Sequence, residues 1–207
     1  MIHWSILDGD RQKELPKLRF CRDEGFYLAG GTALALQIGH RDSVDFDFFK
    51  AGPFDTERFF DLLQKSFPGQ KVVKVQDERD TLTVLVDEAI KLSFMSYPYP
   101  LLCPLVDAGP FDMADISDIG CMKLSAITGR AAMKDYVDLY FILQRIPLPE
   151  LLVLCERRLP RLDRALILKS LVFFDDVEEE PILYTGTGRV AFSEVKRFLR
   201  DQARTAY

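Results

Sequence analysis

Basic residues are not in excess, cysteine and histidine are scarce, and no apolar run is long enough to cross a bilayer. Each shortage removes a class of function. Lysine and arginine number 27 against 32 aspartates and glutamates, a formal net charge of −5. A protein that coats nucleic acid shows a clear basic excess, so only a local basic patch remains open. The four cysteines, Cys21, Cys103, Cys121 and Cys155, are widely spaced and form no CxxC pair. That pattern fits reduced thiols rather than a disulfide framework or a zinc site. Two histidines, His3 and His40, supply little for a His/Cys metal centre. Apolar runs stop far short of the ~18 residues of a spanning helix, so no membrane partner is expected. Charges at Asp8, Asp10, Arg11, Lys13 and Glu14 interrupt the place where a secretory leader needs its apolar core. The expected location is the cytoplasm.

What is present reads as an ordinary globular chain: 207 residues, 48% hydrophobic and 29% charged, with no internal repeat. At that length roughly 70% of the unfolded surface can be buried, so neither disulfide nor metal is needed for folding. The pattern predicts helix over about 5–24, interrupted at Pro16 and stopped at Gly25. A short strand over 26–29 follows, then the Gly30-Gly31 turn and a helix over 32–38 stopped by Gly39. Residues 44–49 alternate aspartate with apolar side chains, which is strand periodicity. A helix capped by Asp55 comes next, then strands over 72–75, 81–86 and 90–96, the last two joined as a hairpin across Asp87, Glu88 and Ala89. A Pro-rich stretch over 97–104 and a last short strand at 105–106 end the sheet region. From Ile116 the pattern is helical, with helices over 116–128, 134–145, 149–158, 163–173 and 193–204 and a turn at Gly186-Thr187-Gly188 before the last. The fold class is α+β. A boundary near residue 112 divides an α/β half, 1–112, from a helical region, 113–207, packed on it.

The stretch from Phe26 to Phe49 carries the chemistry. Two glycines after a strand let the backbone turn sharply. The helix that follows aims its free amides and positive dipole end at that turn, an arrangement that favours a phosphate. Asp45 and Asp47 lie two apart on a strand, so both carboxylates share a face while Val44, Phe46 and Phe48 pack inward. Mg²⁺ (or Mn²⁺) is served by one or two carboxylates, with water and substrate phosphates completing its shell. In phosphoryl or nucleotidyl transfer it neutralises charge on the transferred group and activates the attacking oxygen.

The ordered set Gly30-Gly31-Thr32-Ala33-Leu34, His40-Arg41-x-Ser43 and Asp45-Phe46-Asp47 resembles the AbiEii/AbiGii-type toxin family of the nucleotidyltransferase superfamily. So does a second block, Lys123-Leu124-Ser125-Ala126 through Arg130 to Lys134-Asp135-Tyr136-x-Asp138-Leu139, and together they span about residues 26–145. The resemblance implies a polymerase-β-like fold with a small mixed central sheet and a helical C-terminal half. It implies transfer of a nucleotide from a nucleoside triphosphate to an acceptor hydroxyl, with an RNA such as transfer RNA as acceptor and an antitoxin as protein partner. In that scheme Asp45 and Asp47 bind metal, and Gly30, Gly31, Thr32, Arg41, Ser43 and Arg130 surround the triphosphate. Lys123 contacts phosphate and Asp135 acts as a catalytic or positioning acid. One departure stands out. Superfamily members commonly carry a third carboxylate on a neighbouring strand, where this chain has Lys91 and Ser93. Either Asp135 supplies that acid, or catalysis is lost and the fold binds a nucleotide or a partner without chemistry.

Several of these residues also have a plainer reading. Asp45 and Asp47 could form a solvated strand face, and His40 and Arg41 could complement the end of the preceding helix. Lys123 and Arg130 could be solvated cations. Asp135 and Asp138 begin a helix, where acids favour the dipole without chemistry, and Asp138 is expected to pair with Arg130 or Lys134. Arg157, Arg161 and Arg164 form either a solvated face or, across the break at Pro160, a strip for an RNA backbone.

Overall fold

The computed structural model describes residues 1–185 and 188–206, so Gly186 and Thr187 of the anticipated turn lie outside the described residues. The chain opens with two short helices, α1 (Gly9–Glu14) and α2 (Phe20–Asp23), separated by a 3-10 turn, Leu15–Leu18, that holds Pro16. It then alternates β1 (Tyr27–Ala29), α3 (Gly30–Ile38), β2 (Phe46–Lys50) and α4 (Thr56–Ser66). The strands β3 (Val72–Glu78), β4 (Thr81–Val86), β5 (Ile90–Ser96), β6 (Val106–Asp107) and β7 (Asp112–Met113) follow. Five helices end the chain: α5 (Ile116–Gly129), α6 (Met133–Leu143), α7 (Leu148–Arg158), α8 (Arg164–Val172) and α9 (Phe192–Thr205).

Among the described residues the strands form one mixed sheet in the order β3-β4-β5-β2-β1-β7-β6. The pairs β2–β5 and β1–β7 are parallel and the others antiparallel. The expected hairpin is there. Asp87 and Glu88 turn it with φ of 49° and 59°, left-handed values that match the twist of the strands they join. Asp55 caps α4 by accepting the Arg58 amide at 3.0 Å, as its position suggested. One face of the sheet is sealed by α4, where Phe59 lies 4.7 Å from both Phe26 and Phe94 by ring centroid. Alternation does the rest. Leu82, Val84, Leu92, Phe94 and Phe48 point to that covered face, and all five are inaccessible to solvent. The opposite face carries Asp47, Ser93 and Thr83.

Two expectations need correction. Val44 is not a core residue but 46% exposed, and β2 starts only at Phe46. The chain before it is drawn aside: the Asp42 amide donates to Leu183 O at 2.8 Å and Val44 O accepts from Arg11 Nε at 3.2 Å. The last sheet strand is also not at 105–106 alone. β6 pairs with an unforeseen β7, which joins β1 in parallel, so the boundary placed near residue 112 falls inside a strand of the central sheet. Beyond it α5 packs on α3 and α6, which brings the second block to the first.

Candidate active site

The turn from β1 into α3 is built on two glycines for different reasons. Gly30 has φ of +71°, a conformation that side chains with a Cβ adopt only with strain. Gly31 lacks room: a Cβ there would stand 2.5 Å from Arg41 Nη2 and 3.2 Å from Ser43 Oγ. No side chain caps α3, so the first amides of the helix are free to face an anion.

Asp47 lies beside this turn. Its strand partner on one side is Ala29, on the other Ser93, and its Oδ2 is 3.4 Å from where a Cβ on Gly30 would be. Burial pushes the Asp47 carboxyl above the ordinary aspartate value and the neighbouring Asp45 adds to the rise, with Lys91, Ser93 and Lys123 working against it. Asp45 precedes the strand. Its carbonyl accepts the Thr32 hydroxyl, and its half-exposed carboxylate lies 3.7 Å from Lys91 Nζ. Thr32 Oγ1 is also 2.8 Å from Ser43 Oγ, so Thr32 and Ser43 brace the Asp45 loop from behind.

The second block forms a buried charge network. Asp138, with no exposed surface, accepts Arg41 Nε at 2.7 Å and Nη2 at 2.9 Å, with His40 Nε2 2.8 Å from Oδ1 and Lys123 Nζ 2.6 Å from Oδ2. Asp138 therefore pairs with Arg41, His40 and Lys123, not with Arg130 or Lys134 as expected; Lys134 meets Glu180 at 2.8 Å. Lys123 also donates to Asp135 at 2.7 Å, and Arg130 Nε donates to the other Asp135 oxygen at 2.7 Å. Burial opposes ionisation of Asp138, yet Lys123 and Arg41 hold its carboxyl well below the usual range. Burial likewise opposes the charge on Lys123, and Asp138 and Asp135 outweigh it. Burial lowers His40 below its ordinary value, which keeps the ring neutral at pH 7.

Asp135 is thus held by two cations and does not join Asp45 and Asp47. Among the described residues no group of three or more acids, histidines or cysteines is placed to hold a metal ion. The position beside Asp47 belongs to Ser93, which faces the same cleft.

A cleft of about 740 Å³ opens between the uncovered sheet face and α5. Of the residues singled out in the sequence, Gly30, Gly31, Asp47, Lys123 and Arg130 line it. Thr32, Arg41, Ser43 and Asp135 stand behind that lining, and Asp45 lies beside it. Gln76, Thr83 and Tyr97 also line the cleft and were not anticipated, although the alternation Thr81-Leu82-Thr83 hinted that a hydroxyl shares a face with Ser93. Nor was the partner of Asp118 anticipated. This buried acid faces the buried Arg158 and accepts the Leu102 and Cys103 amides at 2.9 and 3.1 Å, anchoring the Pro-rich stretch that carries Tyr97. That use removes Arg158 from any basic strip on the surface, and Arg164 meets Glu156 at 3.2 Å.

A sequence model described as "Nucleotidyl transferase AbiEii toxin, Type IV TA system" matches residues 22–205. The chain belongs to this AbiEii toxin family. It is 41% identical over 175 residues to an uncharacterised protein of Aquifex aeolicus, covering 81% of this chain and 82% of that one. The fold is similar to that of JHP933 from Helicobacter pylori, at 17% identity and a TM-score of 0.59, covering 100% of this chain and 93% of the other. It is similar also to MenT4, a nucleotidyltransferase toxin from Mycobacterium tuberculosis, at 18% identity and a TM-score of 0.57, covering 95% and 86%. The expected fold is thereby established: a mixed α+β nucleotidyltransferase fold with a mixed central sheet, seven-stranded among the described residues.

The donor set suits a hard divalent cation that arrives with a phosphate-bearing substrate. Mg²⁺ is commonly held by one or two carboxylates and substrate oxygens. Asp45 and Asp47 are two carboxylates close enough to raise the Asp47 carboxyl, which is the repulsion a cation would relieve.

Proposed function

We propose that the protein is the toxin component of a toxin–antitoxin pair and transfers a nucleotide from a nucleoside triphosphate to the hydroxyl of an RNA acceptor, with pyrophosphate as the leaving group. Transfer RNA is the leading acceptor, the cytoplasm the compartment and the antitoxin the protein partner. The observation that carries the chemistry is the convergence of the uncapped α3 N-terminus with Asp47, flanked by Lys91, Lys123 and Arg130, on one cleft. Asp45 and Asp47 would hold Mg²⁺ or Mn²⁺. Such an ion, when bound, supplies charge neutralisation on the triphosphate and acidifies the attacking hydroxyl.

The chain's own groups account for the remaining needs. The amides at Gly30 and Gly31 bind phosphate oxygens, and Thr32, Ser43 and Arg41 keep that turn in shape from behind. Arg130, whose side chain is 65% exposed and keeps donors beyond those given to Asp135, reaches the phosphates from the α5 side. Lys123 presents a fixed positive charge to the cleft, and Asp135 and Asp138 position it. With Ser93 rather than an acid next to Asp47, Asp47 is the one carboxylate among the described residues that line the cleft. The incoming hydroxyl then loses its proton to Asp47 or to solvent.

Incubation of the protein with labelled triphosphates, Mg²⁺ and total RNA should label an RNA species. Asp45→Ala and Asp47→Ala should abolish the label, and labelling that survives both changes sinks the site assignment. The absence of a third sheet acid favours one other reading, a fold that binds nucleotide or partner without turnover. That reading predicts thermal stabilisation by triphosphate with no product.

A further inference from the structure

The cleft extends well past the phosphate end, and its floor is a continuous polar row. Asp47 on β2 is opposite Ser93 on β5, Ser93 is opposite Thr83 on β4, and Thr83 is opposite Gln76 on β3. All four line the same cleft. With strands ~4.8 Å apart, the row runs about 14 Å from the carboxylate to the sheet edge. Ser93 and Thr83 are each only 6% exposed, unusual for hydroxyls on a sheet face open to a cleft.

Gln76 reaches this row through a defect. The β3–β4 register shifts between Lys74 and Gln76. Val75 is the extra residue, and regular pairing would have put Val75 rather than Gln76 opposite Thr83. Bulges of this kind re-aim side chains and are common beside active sites. The Thr83 hydroxyl donates to Gln76 Oε1 at 3.4 Å, and Gln76 Nε2 donates to Glu78 at 3.1 Å. One lone pair and one N–H of the carboxamide remain for a ligand.

The cleft is also polarised along its length. The three cations in its lining, Lys91, Lys123 and Arg130, all act electrostatically on Asp47. The far end offers Val75, Thr83 and Gln76, with Met122 and Ala126 of α5 across from them. A ligand with an anionic end and a flat, hydrogen-bonding end therefore has one orientation.

We propose that Gln76, oriented by Thr83, reads the edge of the nucleobase of the bound nucleoside triphosphate and sets which base the protein accepts. This rests on the nucleotide reading of the same cleft. A carboxamide with a free donor and a free acceptor pairs edge-on with a base. Changing it to a carboxylate leaves only acceptors, which at position 4 of a pyrimidine favours the amine of cytosine over the keto oxygen of uracil.

The test is calorimetric titration of the full chain, in Mg²⁺, with the four α,β-methylene nucleoside triphosphates, which resist transfer. Gln76→Ala should weaken the best-bound base by about five- to thirtyfold and level the four affinities. Gln76→Glu should raise the ratio of cytosine to uracil triphosphate affinity by about fivefold or more, whatever its effect on overall affinity. Thr83→Val, which removes the hydroxyl at nearly constant shape, should move the ratios in the same sense as Gln76→Ala. Triphosphates that bind with ratios untouched by all three changes would overturn the base-reading role alone and assign the row to the acceptor. No binding of any triphosphate would overturn it together with the nucleotide reading.

Discussion

Replacing Asp138 by asparagine should destabilise the fold more than any other single change in the second block. Asp138 is wholly buried and receives Arg41 through two hydrogen bonds, Lys123 at 2.6 Å and the His40 ring at 2.8 Å. Removing one partner of a buried ion pair leaves the other charge uncompensated and costs about 3–5 kcal/mol. Here two cations share the loss. Lys123 retains Asp135, and asparagine still offers one acceptor, so the lower end, about 3 kcal/mol, applies. For a chain of this size each kcal/mol moves Tm by about 2–4 °C, which gives a fall of roughly 6–12 °C. Urea unfolding and calorimetry at neutral pH measure it. Arg130→Ala is the control: it also breaks an ion pair of this network, but the Arg130 side chain is 65% exposed and its buried partner Asp135 keeps Lys123, so a loss of only about 1 kcal/mol is expected. A loss at Asp138→Asn no larger than that of Arg130→Ala would refute the view that Asp138 holds the two blocks together.

Other changes separate the site from the scaffold. Asp47→Asn should abolish RNA labelling yet raise Tm at neutral pH. The folded carboxyl sits above the ordinary aspartate value of 3.8, so its contribution is present below that value and lost as pH rises through the folded one; a Tm that falls would contradict this. On the acid side, stability should decline in two stages. The His40 contribution, complete above its unfolded value of 6.5, is lost as pH falls through the lowered folded value. Those of Asp138 and Asp135, complete above 3.8, are lost at lower pH still. Unfolding curves at about pH 7.5 and about pH 5.5 should differ for the parent and converge for His40→Gln. Gly31→Ala puts a Cβ 2.5 Å from Arg41 Nη2, and Asp138 holds that guanidinium by two bonds. A loss of about 1–3 kcal/mol and of labelling is expected, and an unchanged Tm would mean that Arg41 is free to move.

Local chemistry explains which parts of this site could be read from the chain. The Gly30-Gly31 turn, the Asp55 cap and the hairpin at Asp87 and Glu88 each depend on a few adjacent residues, and each was legible. Asp45 and Asp47 read as one alternating strand, but only Asp47 is in it, because the Asp45 carbonyl goes to Thr32 instead of a strand neighbour. The partners of Asp138 were not legible, since His40 and Arg41 lie 98 and 97 residues away and only the packing of α6 against α3 brings them close. β6 and β7 have two residues each, too few to show a period. Gln76 enters the cleft through a register shift, and a one-residue shift exchanges the faces of a strand without leaving a mark on composition.

The charges of the site carry a further consequence. Arg41, Lys91, Lys123 and Arg130 face Asp45, Asp47, Asp135 and Asp138, so cations and carboxylates match in number, and His40 stays neutral. Three of those cations are already committed to Asp135 and Asp138, which leaves Lys91 against the Asp45 and Asp47 pair. The site as a whole thus carries no net positive charge for a polyanion, although Lys123 and Arg130 also face the cleft, and Asp45 and Asp47 lie where the phosphates would arrive. A triphosphate entering alone would meet repulsion from Asp45 and Asp47, which the α3 amides and dipole offset only by about 0.3–2 kcal/mol. On the proposed reading, the nucleotide must therefore bring its own cation. The acids that repel the bare triphosphate are then the groups that select the metal-bound form. A serine at position 93 fits this logic, because it stands beside Asp47 without adding another negative charge to the pair.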